Sequence, residues 1–337
     1  MQSSARPGPL LREAAAQLAA IQAPVQDRLS QVLAELRRVV RTDFGEIQGV
    51  NDHLLLMRGK LLRPTLLLLS SQVGDQPADD VVTLAAVVEL VHLATLVHDD
   101  AVDHSVLRRG LPTVNALWTH QVAIIMGDYL YSRAVTELAG LGRLEALRAL
   151  ATAANEMSVG EMRQLTSYDA LEFSEDDYYA LIAAKTASLM RAACEMGALA
   201  GVDRYREPLA RYGQNLGMAF QIADDLLDYT GSELVTGKPT GHDLREHKVT
   251  LPLVEAMRHA SEAELTEIRA LFDQVDPADE QIERVVEIVE QRGGLKYARA
   301  RAQAFAEEAL EALAGLAPGA ALDALRDSVT YAVDRSL

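Results

Sequence analysis

Cysteine and aromatic residues are both scarce in this sequence. Among 337 residues there is one cysteine, Cys194, and aromatic side chains make up 5%. A single cysteine excludes a disulfide framework and fits a reducing compartment. Strand-forming residues are also few, while alanine, leucine, glutamate and arginine dominate, and this composition favours an all-helical protein. Because 49% of the residues are apolar, the chain can bury a large core.

Positive charge is outnumbered. The chain carries 32 lysines and arginines against 49 aspartates and glutamates, for a formal net charge of -17. A chain this acidic repels nucleic acid, so we exclude nucleic acid as a partner. An anionic ligand would need metal ions or a local basic patch in order to bind.

Long apolar runs are missing as well. The densest run, LLRPTLLLLSSQV from Leu61, is short and is interrupted by Arg63 and Pro64, so we predict no transmembrane segment. The first twenty residues lack the order of a secretory signal, and Glu13 argues against a transit peptide. We therefore expect a cytoplasmic protein, and peripheral contact with a membrane stays open.

Helical periodicity is the main pattern that is present. Apolar spacings of three and four residues predict helices over residues 10–41, 85–97, 115–139, 143–165, 176–200 and 211–229. Ser174 with Asp177 predicts a capping box, and Asp276 before Pro277 predicts a further helix start. Because no repeat, linker or change of composition divides the chain, we predict one domain over residues 1–337, with residues 1–9 as a flexible tail.

Two of the predicted helices are apolar nearly all round, which indicates central helices. Their sequences are AAVVELVHLATLV and GQNLGMAFQIA, and each runs into three aspartates in the pattern DDxxD. Since positions i and i+4 share one face of a helix, the first and third aspartates of each motif project together. The six residues are Asp99, Asp100 and Asp103 in the first motif, and Asp224, Asp225 and Asp228 in the second.

Paired aspartate clusters suit a hard cation. Mg²⁺ prefers oxygen ligands, keeps several waters and shares its shell with substrate phosphates. Two facing clusters would hold several ions around one diphosphate and neutralise it as a leaving group. A single DDxxD is more often a solvated helix end, as we expect for EDD at 175–177. Two copies, each ending a buried helix, favour the metal interpretation because unpaired charge beside a core is costly.

Basic residues occur near these motifs. Taken singly, each is more often a surface cation that covers apolar area, but together they would form an anion pocket in which arginine grips phosphate bidentately. They are Lys60 and Arg63 in GKLLRP, Arg108 and Arg109 after the first motif, Lys185 inside an apolar helix, and Lys238 and Lys248 around a segment rich in glycine and threonine.

Six segments together resemble one family. GKLLRP, VELVHLATLVHDDAVDHSVLRRGLPTVN, GDYLYSRA, KTASLMRAACEMGA, FQIADDLLDYTG and GKPTGHDLREHKVTLP occur in the order and spacing of trans-type (E)-polyprenyl diphosphate synthases. These head-to-tail prenyltransferases add isopentenyl diphosphate to an allylic diphosphate. The similarity covers residues 40–337. It implies an all-α, single-domain helical bundle of the isoprenoid synthase type around a central active-site cavity, and a homodimer.

The resemblance also implies a role for each matching residue. The six aspartates would be ligands of up to three Mg²⁺ ions, for which Mn²⁺ can substitute. Isopentenyl diphosphate would be bound by Lys60, Arg63, His92 and Arg109, and the allylic diphosphate by Arg108, Lys185 and Lys238. The oxygens of Thr186 and Gln221 would face the developing cation, and Lys248 would close over the site.

The sequence departs from the family pattern at three positions. Leu61 stands where many members have arginine, which leaves Arg63 as the expected anion contact. His104 replaces a common acidic residue, and His247 replaces a common glycine before Lys248, so the turn there is expected to differ. None of these changes removes a residue that we assign to chemistry.

Product length is predicted from the helix that leads into the first motif. Ala94 and Thr95 lie about one turn before Asp99. Short-chain members of the family commonly carry an aromatic residue near these positions. Since both residues are small here, we predict an open tunnel and a product longer than the C15–C20 range.

Four alternatives remain. A class I terpene cyclase would also ionise an allylic diphosphate, although its second metal motif is usually of an Asn/Ser/Glu type. The others are a C15 or C20 synthase, an inactive partner subunit of a heteromeric synthase, and a ferritin-like metal bundle. The last needs two Glu-x-x-His motifs, and we identify one, Glu89 to His92. For His98 we favour a hydrogen bond to backbone over a role in the reaction.

Overall fold

The computed structural model describes residues 9–57, 59–74, 77–166, 172–230 and 241–334. The first half of this part of the chain is a succession of helices interrupted by one short hairpin. Its helices are α1 (Pro9–Gln22), α2 (Gln26–Val40), α3 (Gly45–Leu56), α4 (Leu62–Gln72), α5 (Val81–Val102), α6 (Val114–Leu117), α7 (His120–Gly140) and α8 (Leu144–Thr166). The antiparallel hairpin pairs β1 (Leu107–Arg108) with β2 (Leu111–Pro112).

The second half is helical as well, and the predicted all-α class is confirmed. Its helices are α9 (Glu175–Ile182), α10 (Ser188–Ala200), α11 (Arg206–Thr230), α12 (His242–Arg245), α13 (Leu251–His259), α14 (Glu262–Phe272), α15 (Asp279–Gln291), α16 (Gly294–Ala312) and α17 (Ala320–Asp334). The predicted tail, residues 1–9, lies outside the described residues except for Pro9, which begins α1.

Helix α5 is the first of two central helices. It packs against α2, α4, α7 and α10. By length and a mean hydropathy of 1.9 it would be able to cross a membrane, but 67% of that apolar window is buried inside the fold. Helix α5 is therefore a core helix of this fold.

Helix α11 is the second central helix, and it packs against α10, α16 and α17. Gly217 allows its close approach to the segment before α10, because a Cβ there would lie 2.5 Å from the Cα of Ala187. Both predicted central helices thus lie in the interior, and their aspartate ends reach the same region of the molecule.

Some predicted helices are interrupted. The helix predicted over residues 10–41 is broken by a short 3₁₀ segment, Ala23–Val25, that contains Pro24, since proline cannot donate within a helix. The helix predicted over 176–200 contains a π-helical turn, Ala183–Ala187. The chain also leaves helical geometry between α6 and α7.

One predicted helix start is wrong and another is confirmed. Asp276 and Pro277 precede α15, which begins at Asp279 with Ala278 as its N-cap. The capping box of Ser174 and Asp177 is present at the start of α9, and EDD at 175–177 forms the first turn of that helix.

Several helices, among them α3, α4, α13, α14 and α17, lie outside the ranges that periodicity predicts. Helix α4 shows why: it is buried from Pro64 through Ser71, so it has no polar face and no helical period in its sequence. A helix enclosed on all sides cannot be distinguished from a buried strand by periodicity.

Candidate active site

A cavity of 740 Å³ lies where α9, the π-helical turn, α11 and α12 meet. It gathers residues that are distant in sequence and that were predicted from separate motifs. The predicted residues in its wall are Asp103, Lys185, Thr186, Gln221, Asp224, Asp225 and Lys248. The structure therefore brings both aspartate motifs and part of the basic set to one cavity.

The first aspartate motif ends helix α5. Asp103 is the C-cap residue and is exposed, whereas Asp100 is only 3% exposed. The Nε of Arg108 donates to both carboxylate oxygens of Asp100, at 2.8 and 2.9 Å. Burial raises the pKa of Asp100, and Arg108 opposes that shift. Asp100 thus pairs with a cation of its own chain, and its predicted role as a metal ligand stays a prediction.

Asp99 faces a second cavity rather than the first. Burial raises its pKa to about 6; nearby Lys185 and Arg108 oppose this shift, and the carboxylates of Glu161 and Asp103 add to it. A half-buried carboxylate among other carboxylates is an unfavourable arrangement that a bound cation would relieve.

The second motif lies on α11, and its aspartates differ in exposure. Asp224 is exposed on the cavity wall. Asp225 is 7% exposed and accepts hydrogen bonds from the Oη of Tyr178 at 2.6 Å and the Nε2 of Gln221 at 2.7 Å. Burial is the main reason that the pKa of Asp225 lies well above its ordinary value.

Asp228 caps the short helix α12. Its carboxylate accepts hydrogen bonds from the backbone N–H of His242 at 3.1 Å and of Asp243 at 3.0 Å. This cap brings the carboxylate of Asp243 into the cavity wall. Burial, and then the neighbouring Asp228, raise the pKa of Asp243 to about 6, while Lys248 lowers it. Asp228 thus joins α11 to α12, and its role as a metal ligand stays a prediction.

The π-helical turn Ala183–Ala187 carries Lys185 and Thr186 into the site. The Nζ of Lys185 forms an ion pair with Glu161 and donates to the Oε1 of Gln164 at 2.7 Å. Lys185 lines both cavities. The hydroxyl of Thr186 donates to the Oε1 of Gln221 at 2.7 Å, which places these two predicted residues side by side.

Lys248 is held next to an acidic neighbour. Its Nζ donates to the Oε2 of Glu246 at 2.6 Å, and the Nε2 of His242 lies 3.1 Å from Glu246 Oε1. These hydrogen bonds lower the pKa of Glu246 to about 2. Burial alone would lower the pKa of Lys248, but the bond to Glu246 raises it. Lys238 lies outside the described residues.

A separate basic cluster lies between α4 and α5. The Nη1 of Arg63 is 3.2 Å from the Nε2 of His92, and the Nε of Arg63 is buried without a hydrogen-bond partner. Burial, followed by the charges of Arg63 and Arg109, lowers the pKa of His92 well below its ordinary value. Neutral His92 therefore accepts a hydrogen bond from Arg63. Glu89, 4% exposed, is the carboxylate whose charge acts on both arginines.

Lys60 and Arg109 stand at the edge of this cluster. The Nζ of Lys60 donates to the Oη of Tyr331 at 3.1 Å, and the Nη1 of Arg109 donates to the carbonyl of Met57 at 2.7 Å. Gly59 provides the space for Arg109, because a Cβ at Gly59 would lie 2.8 Å from the Nη1 atom. The four residues predicted to bind isopentenyl diphosphate thus fall in one neighbourhood.

The second cavity has a volume of 570 Å³ and lies between α5, α7 and α8. Asp99 and Lys185 stand at one end, and Thr95, Ala94 and Val91 follow along α5. Ala154 and Met157 of α8 belong to the opposite wall. The small side chains at 94 and 95 leave space below the first motif, as the sequence predicts.

The three family departures share one backbone feature. Leu61, His104 and His247 have φ values of 51°, 51° and 55°, in the left-handed region that favours glycine. His247 replaces a common glycine and adopts a backbone conformation that glycine favours. The Nε2 of His98 lies 3.0 Å from the carbonyl of Ile124 and 3.4 Å from the Oδ1 of Asp128, so its backbone contact comes from α7 and not from residues adjacent in sequence.

Several site residues were missed from the sequence. Asp243 lies inside the segment GHDLREHK and was overlooked beside Lys248. Tyr178 and Glu161 contact predicted residues but lie outside the matched segments. Glu89 enters the sequence prediction only as part of a Glu-x-x-His pair, although its position inside an apolar helix, three residues before His92, indicates a buried charge partner.

The chain matches the Polyprenyl synthetase family model over residues 45–289. The chain belongs to this family. One family relative is the all-trans-nonaprenyl-diphosphate synthase (geranyl-diphosphate specific) of Rhodobacter capsulatus, 38% identical over 317 residues that cover 94% of this chain and 97% of the relative. Another is the octaprenyl diphosphate synthase of Escherichia coli strain K12, 36% identical, with 85% and 88% covered. The chain is a prenyltransferase.

A solved family structure supplies information about ligands. Polyprenyl synthase from Caulobacter crescentus, complexed with calcium and isoprenyl diphosphate, superimposes with a TM-score of 0.88 at 34% identity, over 95% of this chain and 98% of that one. A member of the family thus binds a divalent cation together with isoprenyl diphosphate.

Proposed function

We propose that this prenyltransferase condenses isopentenyl diphosphate with an allylic diphosphate, releases diphosphate and makes an all-trans polyprenyl diphosphate longer than C20. The observation that carries the proposal is the 570 Å³ cavity that begins at Asp99 and Lys185 and continues past Ala94. A chain growing away from the aspartates has space there beyond the first helical turn. The names of the nonaprenyl and octaprenyl relatives support the same length.

The aspartates fit Mg²⁺ as the cation, with up to three ions and with Mn²⁺ as a substitute. No group of three His, Cys, Asp or Glu side chains in the described part of the chain is placed to hold an ion alone. Magnesium suits such an open set, because it keeps waters and takes substrate phosphate oxygens. Asp103, Asp224 and Asp243 line the first cavity, and Asp99 lines the second, which shares Lys185 with the first. When bound, the metal neutralises the charge that develops on the leaving diphosphate.

The protein's own groups bind, orient and stabilise charge. Lys185 and Arg108 bind the allylic diphosphate, with Lys238 and Lys248 as further cations. Lys60, Arg63, His92 and Arg109 hold isopentenyl diphosphate through charge and hydrogen bonds. As the allylic C–O bond breaks, the oxygens of Thr186 and Gln221 stabilise the cation. The isopentenyl double bond then attacks C1, and the proton lost afterwards goes to the departed diphosphate.

This sequence of steps needs no nucleophilic side chain. Cys194 is fully buried, and burial raises its thiol pKa to about 12, so it is an inert core residue. A terpene cyclase would not need the second basic cluster around Arg63. An inactive partner subunit would be expected to lack aspartates of the two motifs, and all six are present.

We further propose that the enzyme is a cytoplasmic homodimer joined through α7 and α8. These helices expose large apolar side chains on the described surface: Ile125 is 61% exposed, Leu144 63% and Met162 61%. The second cavity opens toward the same helices, since Ala151 and Asn155 in its wall are exposed. A second copy would cover apolar area that is unfavourable in water.

The experiment that tests the proposal is a graded plug in the second cavity. Products are made from labelled isopentenyl diphosphate and separated by length for wild type and for Ala94→Val, Ala94→Leu and Ala94→Phe. The average product should shorten as side-chain volume rises, while the rate of the first condensation stays within about threefold, because the plug lies below the reacting carbon. A wild type that stops at C15, or a folded Ala94→Phe enzyme with unchanged products, contradicts the proposed length.

A further inference from the structure

A chain of three hydrogen bonds joins four residues in the wall of the 740 Å³ cavity: Tyr178, Asp225, Gln221 and Thr186. The Oη of Tyr178 donates to Asp225 Oδ2 at 2.6 Å. The Nε2 of Gln221 donates to the other oxygen of the same carboxylate, Oδ1, at 2.7 Å. The hydroxyl of Thr186 donates to Gln221 Oε1 at 2.7 Å.

This chain gives the amide of Gln221 one orientation. In its ionised form the carboxylate of Asp225 only accepts hydrogen bonds and needs a donor opposite each oxygen. With the amide reversed, the oxygen of Gln221 would face Asp225 Oδ1, and the NH₂ would face the hydroxyl of Thr186. The first of these contacts is repulsive, so Asp225 holds the NH₂ group and turns the carbonyl oxygen toward Thr186.

The wall of the cavity therefore presents two hydrogen-bond acceptors at this point, the side-chain oxygens of Thr186 and Gln221. Thr186 uses its hydroxyl proton in the bond to Gln221, and its remaining capacity is lone pairs. Gln221 uses one NH₂ hydrogen on Asp225, and its Oε1 stands beside the Thr186 oxygen. Both residues line the cavity. Positive charge that develops next to them is stabilised by oxygen dipoles already in place.

Tyr178 is the end of the chain of hydrogen bonds that is farthest from Thr186, and it also contributes to the cavity wall. It is 1% exposed and packs in the apolar cluster of Ile182, Met218 and Ile222. Its hydroxyl is one of two donors that hold Asp225, and it comes from α9, which is a different element from α11 and from the π-helical turn. The packing of α9 against α11 thus determines where the carboxylate lies.

We propose that Tyr178 is a positioning residue for prenyl transfer. It holds Asp225, Asp225 orients the amide of Gln221, and Gln221 with Thr186 presents oxygen acceptors to the allylic cation. The inference rests on the proposed function, because it concerns the charge formed in that reaction. It assigns Asp225 to positioning, in place of the metal-ligand role predicted from the motif.

The test compares binding of a charged and a neutral mimic. The charged probe is a prenyl ammonium compound given with inorganic diphosphate, and the neutral probe is an allylic thiolodiphosphate that does not ionise. Dissociation constants are measured calorimetrically with Mg²⁺ for wild type and Tyr178→Phe. The variant should bind the ammonium probe about tenfold more weakly and the neutral probe within about twofold, because only the cation meets the oxygen acceptors.

Steady-state kinetics should show the same split. In Tyr178→Phe we expect kcat to fall about tenfold while KM for both substrates changes less than about twofold. Tyr179→Phe is the matched control, since it loses the same atom one residue away. The hydroxyl of Tyr179 bonds Glu175 and Arg301 and is absent from the cavity wall, so this variant should match wild type in both assays.

A double mutant tests whether Tyr178 affects kcat through Gln221. In a Gln221→Leu background, Tyr178→Phe should lower kcat by less than a further twofold or so, because the group through which it acts is gone. Multiplicative losses in the double mutant would overturn the proposal. If circular dichroism shows that Tyr178→Phe does not fold, Asp225→Asn takes its place. The NH₂ group of an asparagine at position 225 would face either Tyr178 or Gln221, both of which donate to Asp225 in wild type, so one of the two hydrogen bonds is lost.

Each remaining outcome has one meaning. Equal weakening of both probes in a folded variant indicates a structural role and overturns the inference. So does a Tyr178→Phe enzyme identical to wild type. Wild-type enzyme that forms no polyprenyl product overturns the proposed function instead, and the two failures are therefore distinguishable.

Discussion

The two aspartate motifs have the same letters and different surroundings. In both, the middle aspartate points inward and is buried: Asp100 is 3% exposed and Asp225 is 7% exposed. Asp100 is paired with the guanidinium of Arg108, whereas Asp225 is held by the neutral donors of Tyr178 and Gln221. The third aspartates differ as well, since Asp103 faces the cavity and Asp228 caps α12.

The difference shows that a repeated motif is not a repeated site. The helix period places positions i and i+4 on one face in both copies. The side chains that contact each motif come from different elements, namely Arg108 on β1 for the first motif and Tyr178 on α9 for the second. In the described part of the chain, the buried aspartate of the first motif pairs with a cation, and the buried aspartate of the second accepts from neutral donors. The cavity-facing carboxylates are therefore the part that the two motifs share, and the buried ones are where they differ.

Removing a cavity-facing carboxylate should give the largest effect. Asp99→Ala and Asp224→Ala are each expected to lower turnover at least about a hundredfold, roughly 2.7 kcal/mol of barrier, because each would weaken binding of the divalent cation. Turnover measured across a Mg²⁺ titration checks this. Near-normal turnover in either variant, or full wild-type activity in excess EDTA, would contradict a metal role for that motif.

Replacing the two buried carboxylates, Asp100 and Asp225, should lower the free energy of unfolding by different amounts. Asp100→Asn leaves Arg108 without its counter-charge, and we expect a loss of about 2 kcal/mol in the free energy of unfolding. Asp225→Asn replaces a carboxyl group whose ionisation burial already disfavours and whose donors in the described part of the chain are neutral, so its loss should stay below about 1 kcal/mol. Urea unfolding of both variants, each beside wild type, measures the difference. Equal losses would mean that the two motifs do not differ in charge compensation.

The smallest effect concerns pH. Burial raises the folded-state pKa of Asp99 and Asp243 to about 6, so ionisation above that value disfavours the folded state. Stability of the metal-free protein should fall as pH rises from about 4 through about 6. Mg²⁺ should offset this loss, raising Tm by a few degrees at pH 7.5 and by less than about one degree at pH 5. A Tm shift by Mg²⁺ that is equal at both pH values would count against these carboxylates as the binding groups.

Sequence patterns predicted the fold class, the central helices and the cavity-facing aspartates. Those features follow from composition, from apolar periodicity and from spacing along a single helix. The hydrogen bonds that hold the buried and capping aspartates were not predictable in the same way. Tyr178 meets Asp225 across α9 and α11, and the cap by Asp228 that places Asp243 depends on how the chain returns after α11. Such contacts are set by tertiary packing and leave no local period.

Burial of α5 also has a consequence for synthesis. Its 22 residues are as apolar as a membrane-spanning segment, and two of the helices that cover it, α7 and α10, come later in the chain. Helix α10 ends at Ala200, about a hundred residues after α5. At translation rates of about 5–20 residues per second, α5 waits on the order of 5–20 s for that cover. Throughout that interval the nascent chain presents a segment that chaperones and membrane-targeting factors would recognise.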